Sequence, residues 1–191
     1  GVDIADFNND SYLDYIQVDM DAKDNRRSKA NMASMNPDLF WSTVNYGFHY
    51  QYMHNTLQLN RRIEGDKPFF SNISRLSGIS STDWSWGPLL ADLDNDGWKD
   101  LFISNGIRRE INHRDFFNEI KLRPMSNDSL LYYTEQMPSE AIANFTFKNN
   151  TDLTFTDVSE SWGLDQKNFS NGATYADLDN DGDLELIVNN V

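Results

Sequence analysis

Cysteine is absent from the 191 residues, which excludes a disulfide framework and a thiolate metal site and leaves redox compartment unread. No run of 18 apolar residues occurs, so no membrane-spanning segment is predicted, and the opening GVDIADFNND has neither the basic nor the apolar region of a signal peptide. Basic side chains are scarce: 16 Lys and Arg stand against 30 Asp and Glu, a formal net charge of -14. That balance argues against nucleic acid or anionic lipid as the main partner, because both would be repelled, and it favours cations. No Ser, Cys or His grouping has the spacing of a nucleophile with its base, and no glycine loop has the pattern that cradles phosphate.

What is present suits a folded chain. Hydrophobic residues make up 39% and aromatics 13%, too rich for a disordered acidic tail, and the length allows one or two domains.

The acids are concentrated. ADLDNDGWKD (91–100) returns as ADLDNDGDLE (176–185) with its first seven letters unchanged. Counted from Asp92, carboxylates fall at positions 1, 3, 5 and 9 (Asp92, Asp94, Asp96, Asp100), with Gly97 at position 6 and the Trp98 carbonyl at position 7. The later loop repeats this with Asp177, Asp179, Asp181, Gly182, the Asp183 carbonyl and Glu185, and DFNNDSYLD near the start supplies Asp6, Asn8, Asp10, the Tyr12 carbonyl and Asp14. Alternate residues of a tight loop point the same way, and the position-6 glycine permits the turn that wraps them around one hard cation. Calcium suits this oxygen-rich set better than magnesium, which keeps more water, so up to three Ca2+ ions are expected. In the first loop Asn8 removes a charge and Ser11 replaces the glycine, at about 1 kcal/mol if a left-handed conformation is needed, which ranks that site lowest in affinity.

An EF-hand would need a glutamate at position 12 and flanking helices. Position 12 is Gln17, Ile103 and Val188, and each loop is followed by a β-rich run, YIQV, LFIS or LELIV. These are strand-loop-strand sites, with the position-9 acid expected as the bidentate ligand. Asp, Asn and Gly also make plain turns, and one DNDG could be that. Three loops with oxygens at the same four positions are not explained so.

The position-1 aspartates at 6, 92 and 177 are spaced by 86 and 85 residues, and the similarity extends beyond the loops. FSNISRLSGI (70–79) lies over FTDVSESWGL (155–164), WSWGPLLAD (84–92) over FSNGATYAD (169–177), and LQLN (57–60) matches FTFKN (145–149) after the connection shortens. Each unit reads strand, turn, strand, bend, strand, acidic loop, strand. Four short antiparallel strands per unit is the plan of a propeller blade, and the predicted fold is all-β with helical insertions, a segment of a β-propeller. The expected organisation is the end of one blade with its loop (1–20), a helical insertion (21–47), a blade with its loop (48–107), a second insertion (108–140) and a further blade with its loop (141–191), all within one propeller that continues outside the segment. In NPDLFWSTVNYG, Asn36 can cap, Pro37 suits the first turn and Gly47 can end a helix; residues 114–141 read as two short helices separated near Pro124 and ended near Pro138.

The DLDNDG loops, the F.D.S...GL strand and YQYMHNTLQLN...TDWSWGPLLADLDNDGWKDLFISNGI resemble bacterial exported proteins of the FG-GAP or VCBS repeat type, within the cartilage-acidic-protein-like group that often carries an ASPIC/UnbV module; no such module is visible here. The resemblance implies an integrin-α-like β-propeller with calcium in its loops and an extracellular or cell-surface location. It is much less specific for activity; the leading expectation is a binding or scaffold module whose protein or glycan ligand sits at the insertion-bearing rim, with any membrane association made through the rest of the parent protein.

Two other readings stay open: a polysaccharide lyase or hydrolase with structural calcium, its acids and bases converging near Arg109, Glu110 and His113, and an accessory subunit of an outer-membrane complex. RREINHRD (108–115) can equally be a solvated helix start. Trp84 and Trp86 share one face of a strand, where they can stack on sugar or pack between sheets. His49 and His54 fall on opposite faces and make no metal pair.

Overall fold

The computed structural model describes residues 1–31, 37–64, 67–123 and 127–191. The chain begins with β1 (Val2–Ala5), β2 (Asp14–Gln17) and β3 (Met20–Asp21), followed by the helices α1 (Asn25–Ala30) and α2 (Pro37–Asn45). Strands β4 (Thr56–Glu64), β5 (Lys67–Asn72), β6 (Asp83–Ala91) and β7 (Asp100–Asn105) come next, then α3 (Arg114–Ile120) and α4 (Asn127–Glu135). The remainder holds β8 (Ile142–Ala143), β9 (Phe145–Asn149), β10 (Phe155–Asp157), β11 (Lys167–Asn168), β12 (Ser170–Ala176) and β13 (Glu185–Asn190). The protein is thus mostly β, its paired strands are antiparallel, and the described helices fall inside the two stretches expected to be insertions.

The first sheet has the order β1-β2-β4-β5 and the second β10-β9-β7-β6-β3, while β12-β13 and β11-β8 form two-stranded ladders. The stretch 48–107, read from sequence as one four-stranded unit, is therefore divided: β4 and β5 complete the first sheet and β6 and β7 open the second. The first acidic loop joins the first two strands of its sheet, the second joins β6 to β7 inside a sheet that also carries β3, and the third joins the two strands of the β12-β13 ladder. The position-9 acid supplies the physical reason. Asp14 accepts the Asn60 N–H at 2.7 Å and Asp100 accepts the Asn149 N–H at 2.9 Å, so each of the first two loops stitches its own strand to the strand that follows the insertion.

The repeat recurs in hydrogen bonds. Ser77 N–H donates to the Ile73 carbonyl at 2.8 Å and Ile79 N–H to Ser74 at 3.0 Å; 85 residues on, Trp162 donates to Val158 at 2.9 Å and Leu164 to Ser159 at 2.8 Å. The turn ends on Gly78 and Gly163, at φ 79° and 72°, where a side chain would be strained.

Between the two large sheets lies the core: Phe7, Ile16, Val18, Leu57, Leu59, Ile79, Leu90, Leu101, Ile103, Phe147 and Phe155. Phe7 is fully buried, with its ring 5.9 Å from that of Phe155, which anchors the first acidic loop to the core by roughly 1.5–3 kcal/mol of burial. Trp84 is buried with Ala22 and Ile142 in a second cluster, whereas Trp86 stays partly exposed and donates its Nε1–H to the Gly106 carbonyl at 2.5 Å.

Helix α2 begins on Pro37 and ends as expected: Gly47, at φ 89°, donates to the Val44 carbonyl at 2.9 Å and Phe48 to Thr43 at 3.1 Å, a Schellman closure. The expected cap Asn36 and bend residue Pro124 lie outside the described residues. Helix α1 was not foreseen. Its sequence NRRSKA has no apolar period, and it is held by the Asp24 cap, which accepts the Arg27 N–H at 2.8 Å, and by the buried Arg27 side chain.

Candidate metal centres in the acidic loops

The three loops close with a shared set of bonds. Asp6 accepts the N–H groups of Asp10 at 3.0 Å and Ser11 at 2.7 Å; Asp92 accepts those of Asp96 at 3.0 Å and Gly97 at 2.9 Å; Asp177 accepts those of Asn180 at 2.7 Å and Gly182 at 3.2 Å. The position-5 carboxylates of Asp10, Asp96 and Asp181 each accept the position-7 N–H at 3.0 Å. Positions 4 and 6 are left-handed throughout: Asn9, Asn95 and Asn180 at φ 56°, 60° and 65°, and Ser11, Gly97 and Gly182 at 71°, 88° and 100°. The position-6 requirement was expected; the position-4 one was not, although Asn tolerates that region better than most residues.

This coiling gathers oxygens. Asp92, Asp94 and Asp96 each place a carboxylate oxygen within 4.8 Å of the others, and so do Asp177, Asp179 and Glu185. Either group can hold a metal ion. In the first loop the Asn8 side-chain amide N–H donates to Asp6 Oδ1 at 3.0 Å and Asp10 Oδ1 at 3.3 Å. In the second, the Lys148 ammonium bonds Asp94 Oδ2 and lies 2.9 Å from Asp96 Oδ2, a positive group lodged between positions 3 and 5. It holds the Asp96 carboxyl below its usual range, and the two aspartates raise the lysine. The carbonyls of Tyr12, Trp98 and Asp183 accept no hydrogen bond among the described residues, so they stay free as ligands.

Position 9 differs from the expectation. Asp14 and Asp100 are fully buried, and each spends both oxygens on backbone donors: Phe7 at 3.4 Å and Asn60 for Asp14, Leu93 at 3.1 Å and Asn149 for Asp100. Burial, opposed by these bonds, pushes both carboxyls up from 3.8 to about 6. Glu185, one carbon longer, accepts the Leu178 N–H at 2.6 Å and still reaches the oxygen cluster.

The loops are also joined to one another. Asn9 Nδ2–H donates to the Gly97 carbonyl at 3.0 Å and Asn95 Nδ2–H to Asp183 Oδ1 at 2.7 Å, each across 88 residues. The three candidate centres therefore form one row. Neither Lys148 nor these links were found by sequence reading: the lysine lies on a strand some fifty residues from its loop, and only the equal spacing of the asparagines hinted at a shared role.

The residues considered for acid-base chemistry are each engaged locally. His113 Nδ1 accepts the Phe116 N–H at 3.3 Å as the cap of α3, and Arg109 donates to the Met137 carbonyl at 3.1 Å. Glu110 is buried against Arg27, whose guanidinium meets Glu110 at 2.9 Å, Glu140 at 3.0 Å and Asp83 at 2.6 and 2.8 Å. Burial raises the Glu110 carboxyl despite Arg27, and Arg26 lowers that of Glu140. This cluster ties α1 to both ends of the second insertion and to β6, whose Asp83 sits at φ 73°.

No protein-family model matches the chain, and no curated protein matches it. No helix among the described residues is long and apolar enough to cross a membrane.

Proposed function

We propose that the chain is a segment of a calcium-stabilised, propeller-type repeat protein of the FG-GAP or VCBS kind, acting as a binding module on a bacterial cell surface. The observation that carries this reading is the row of three equivalent acidic loops, each opening on two strands of a sheet and linked to the next by an asparagine. Asp6, Asn8 and Asp10, then Asp92, Asp94 and Asp96, then Asp177, Asp179, Asp181 and Glu185 would hold the ions, with the Tyr12, Trp98 and Asp183 carbonyls. A bound divalent cation would neutralise the packed carboxylates and cross-link the loop. The residues do the rest: Asp14 and Asp100 join loop to sheet, and Phe7 joins the first loop to the core.

The binding face is assigned to the first insertion and the segment after it. Trp41, Tyr46, Phe48, Tyr50 and Tyr52 each leave more than half of their surface exposed. Phe40 gathers three of them, with ring centroids 5.3 Å from Trp41, 6.1 Å from Tyr50 and 5.7 Å from Tyr52. The Tyr50 and Tyr52 rings lie 8° from parallel at 6.4 Å. Such a surface offers flat apolar faces with phenolic rims, suited to a glycan or a protein ligand.

Thermal melting with calcium and with chelator tests the metal, and a glycan and protein binding screen repeated on Tyr50→Ala/Tyr52→Ala tests the face. At a hundredfold excess over Kd each site adds about 2.7 kcal/mol, a midpoint rise of roughly 5 to 10 °C per site. An unchanged midpoint removes the metal reading. Ligand retained by the double variant removes the face.

A further inference from the structure

We propose that Lys148 is a tethered counter-ion of the second acidic loop, which occupies the cation position when no divalent ion is bound and must withdraw for one to enter. The inference rests on the metal reading above and concerns only which charge fills the loop.

Three observations lead to it. The Lys148 ammonium bonds carboxylate oxygens of both Asp94 and Asp96, and these with Asp92 are the residues whose oxygens converge closely enough for one ion. An ammonium and a divalent ion cannot share that space, because both need the same lone pairs and repel each other.

The second observation is the counterpart position. Asn60 and Asn149 are equivalent: their N–H groups donate to Asp14 and Asp100, and their Nδ2 groups to the Leu13 and Lys99 carbonyls at 3.1 and 3.0 Å. The residue before Asn149 is Lys148; the one before Asn60 is Leu59, which is buried. The first loop has three acids with Asn8 at position 3, and no lysine. The second has an acid there and gains Lys148, so at the ligand positions the added negative charge is matched by one added positive charge, Lys99 at position 8 not being counted.

Third, the last loop has four exposed or half-buried acids at its ligand positions and no ion pair among the described residues. With nothing to displace, it should load before the second. The lysine therefore trades affinity for independence: it keeps the second loop folded without metal and weakens the metal when it comes.

Trp98 stands at position 7 of this loop alone, where the others have Tyr12 and Asp183, so terbium luminescence excited through tryptophan reads the second loop. The test compares wild type, Lys148→Gln and Trp98→Phe in terbium and calcium titrations, with melting in chelator and in calcium. Two solvent-screened ion pairs correspond to a gain of roughly three- to tenfold in affinity on removing the lysine. Lys148→Gln should tighten the Trp98-dependent phase by that factor, lower the midpoint in chelator and widen the gap between chelator and calcium. An unchanged or weakened phase in Lys148→Gln, with binding intact in wild type, overturns the inference and leaves the metal reading standing. Absence of binding in wild type overturns both.

Discussion

Ser11 holds a left-handed backbone, φ 71°, at the position where the sister loops have Gly97 and Gly182. Ser11→Gly relieves that conformation and is expected to stabilise the protein by up to about 1 kcal/mol, while Gly97→Ala costs about the same. Melting in chelator checks both, and an unchanged midpoint for Ser11→Gly would mean its hydroxyl or chain stiffness offsets the strain. Asp14 and Asp100 give a second prediction at this scale. Their carboxyls lie near 6 in the folded protein against 3.8 ordinarily, so between those values the folded chain binds more protons than the unfolded one. Stability in chelator should therefore rise as pH falls from about 7 to 5, and fall only when acids with lowered values, such as Asp96 and Glu140, are protonated. Saturating calcium should reverse the sign, because its ligands must be deprotonated. The alternation of oxygens and the position-6 turn were legible in the residues themselves. The fate of the position-9 acids was not, since their partners Asn60 and Asn149 are supplied by a strand that returns only after an insertion.

Helix α1 is fastened by charge instead of apolar surface, and this makes it the most exposed to a single substitution. Arg27 is buried and faces Asp83, Glu110 and Glu140, whereas Arg26 bonds Glu140 at the surface. Removing one partner of a buried pair strands the others in low dielectric, so Arg27→Ala should cost roughly 3–5 kcal/mol. Arg26→Ala should cost far less, because its bridge to Glu140 is screened by solvent. Denaturant midpoints on the two variants measure the contrast, and equal losses would show that the buried cluster is no tighter than the surface bridge. Proline and glycine punctuation made α2 readable, because those residues act through local backbone geometry. Nothing in NRRSKA announces a helix, because its anchor is three acids distant in sequence. The same limit applies to the sheets: the repeat marked the longer strands but not the two-residue β3, β8 and β11, and the hydrogen bonds that allot β4 and β5 to the first sheet depend on what crosses the insertion.

Across the whole molecule burial falls from the paired sheets toward the last hairpin, and the loops should feel the difference. Strands β2 and β7 are flanked on both sides and contribute Ile16, Leu101 and Ile103 to the core. Hairpin β12-β13 is paired only with itself, and Ser170 is its single buried residue. Local opening free energy follows buried apolar contact and hydrogen bonding, so amides of β13 should exchange hydrogen before those of β7 in chelator. Because the third loop spans this hairpin and holds no lysine, calcium has the most to add there: the ion joins both strands where little else does. Exchange followed by mass spectrometry, with and without calcium, should therefore record the largest gain in protection over residues 170–190 and a smaller one over 91–105, where Lys148 already stands in. Uniform slowing along the chain would mean that the ions stabilise the sheets as one body, and a gain confined to the first loop would reverse the order of loading argued from charge.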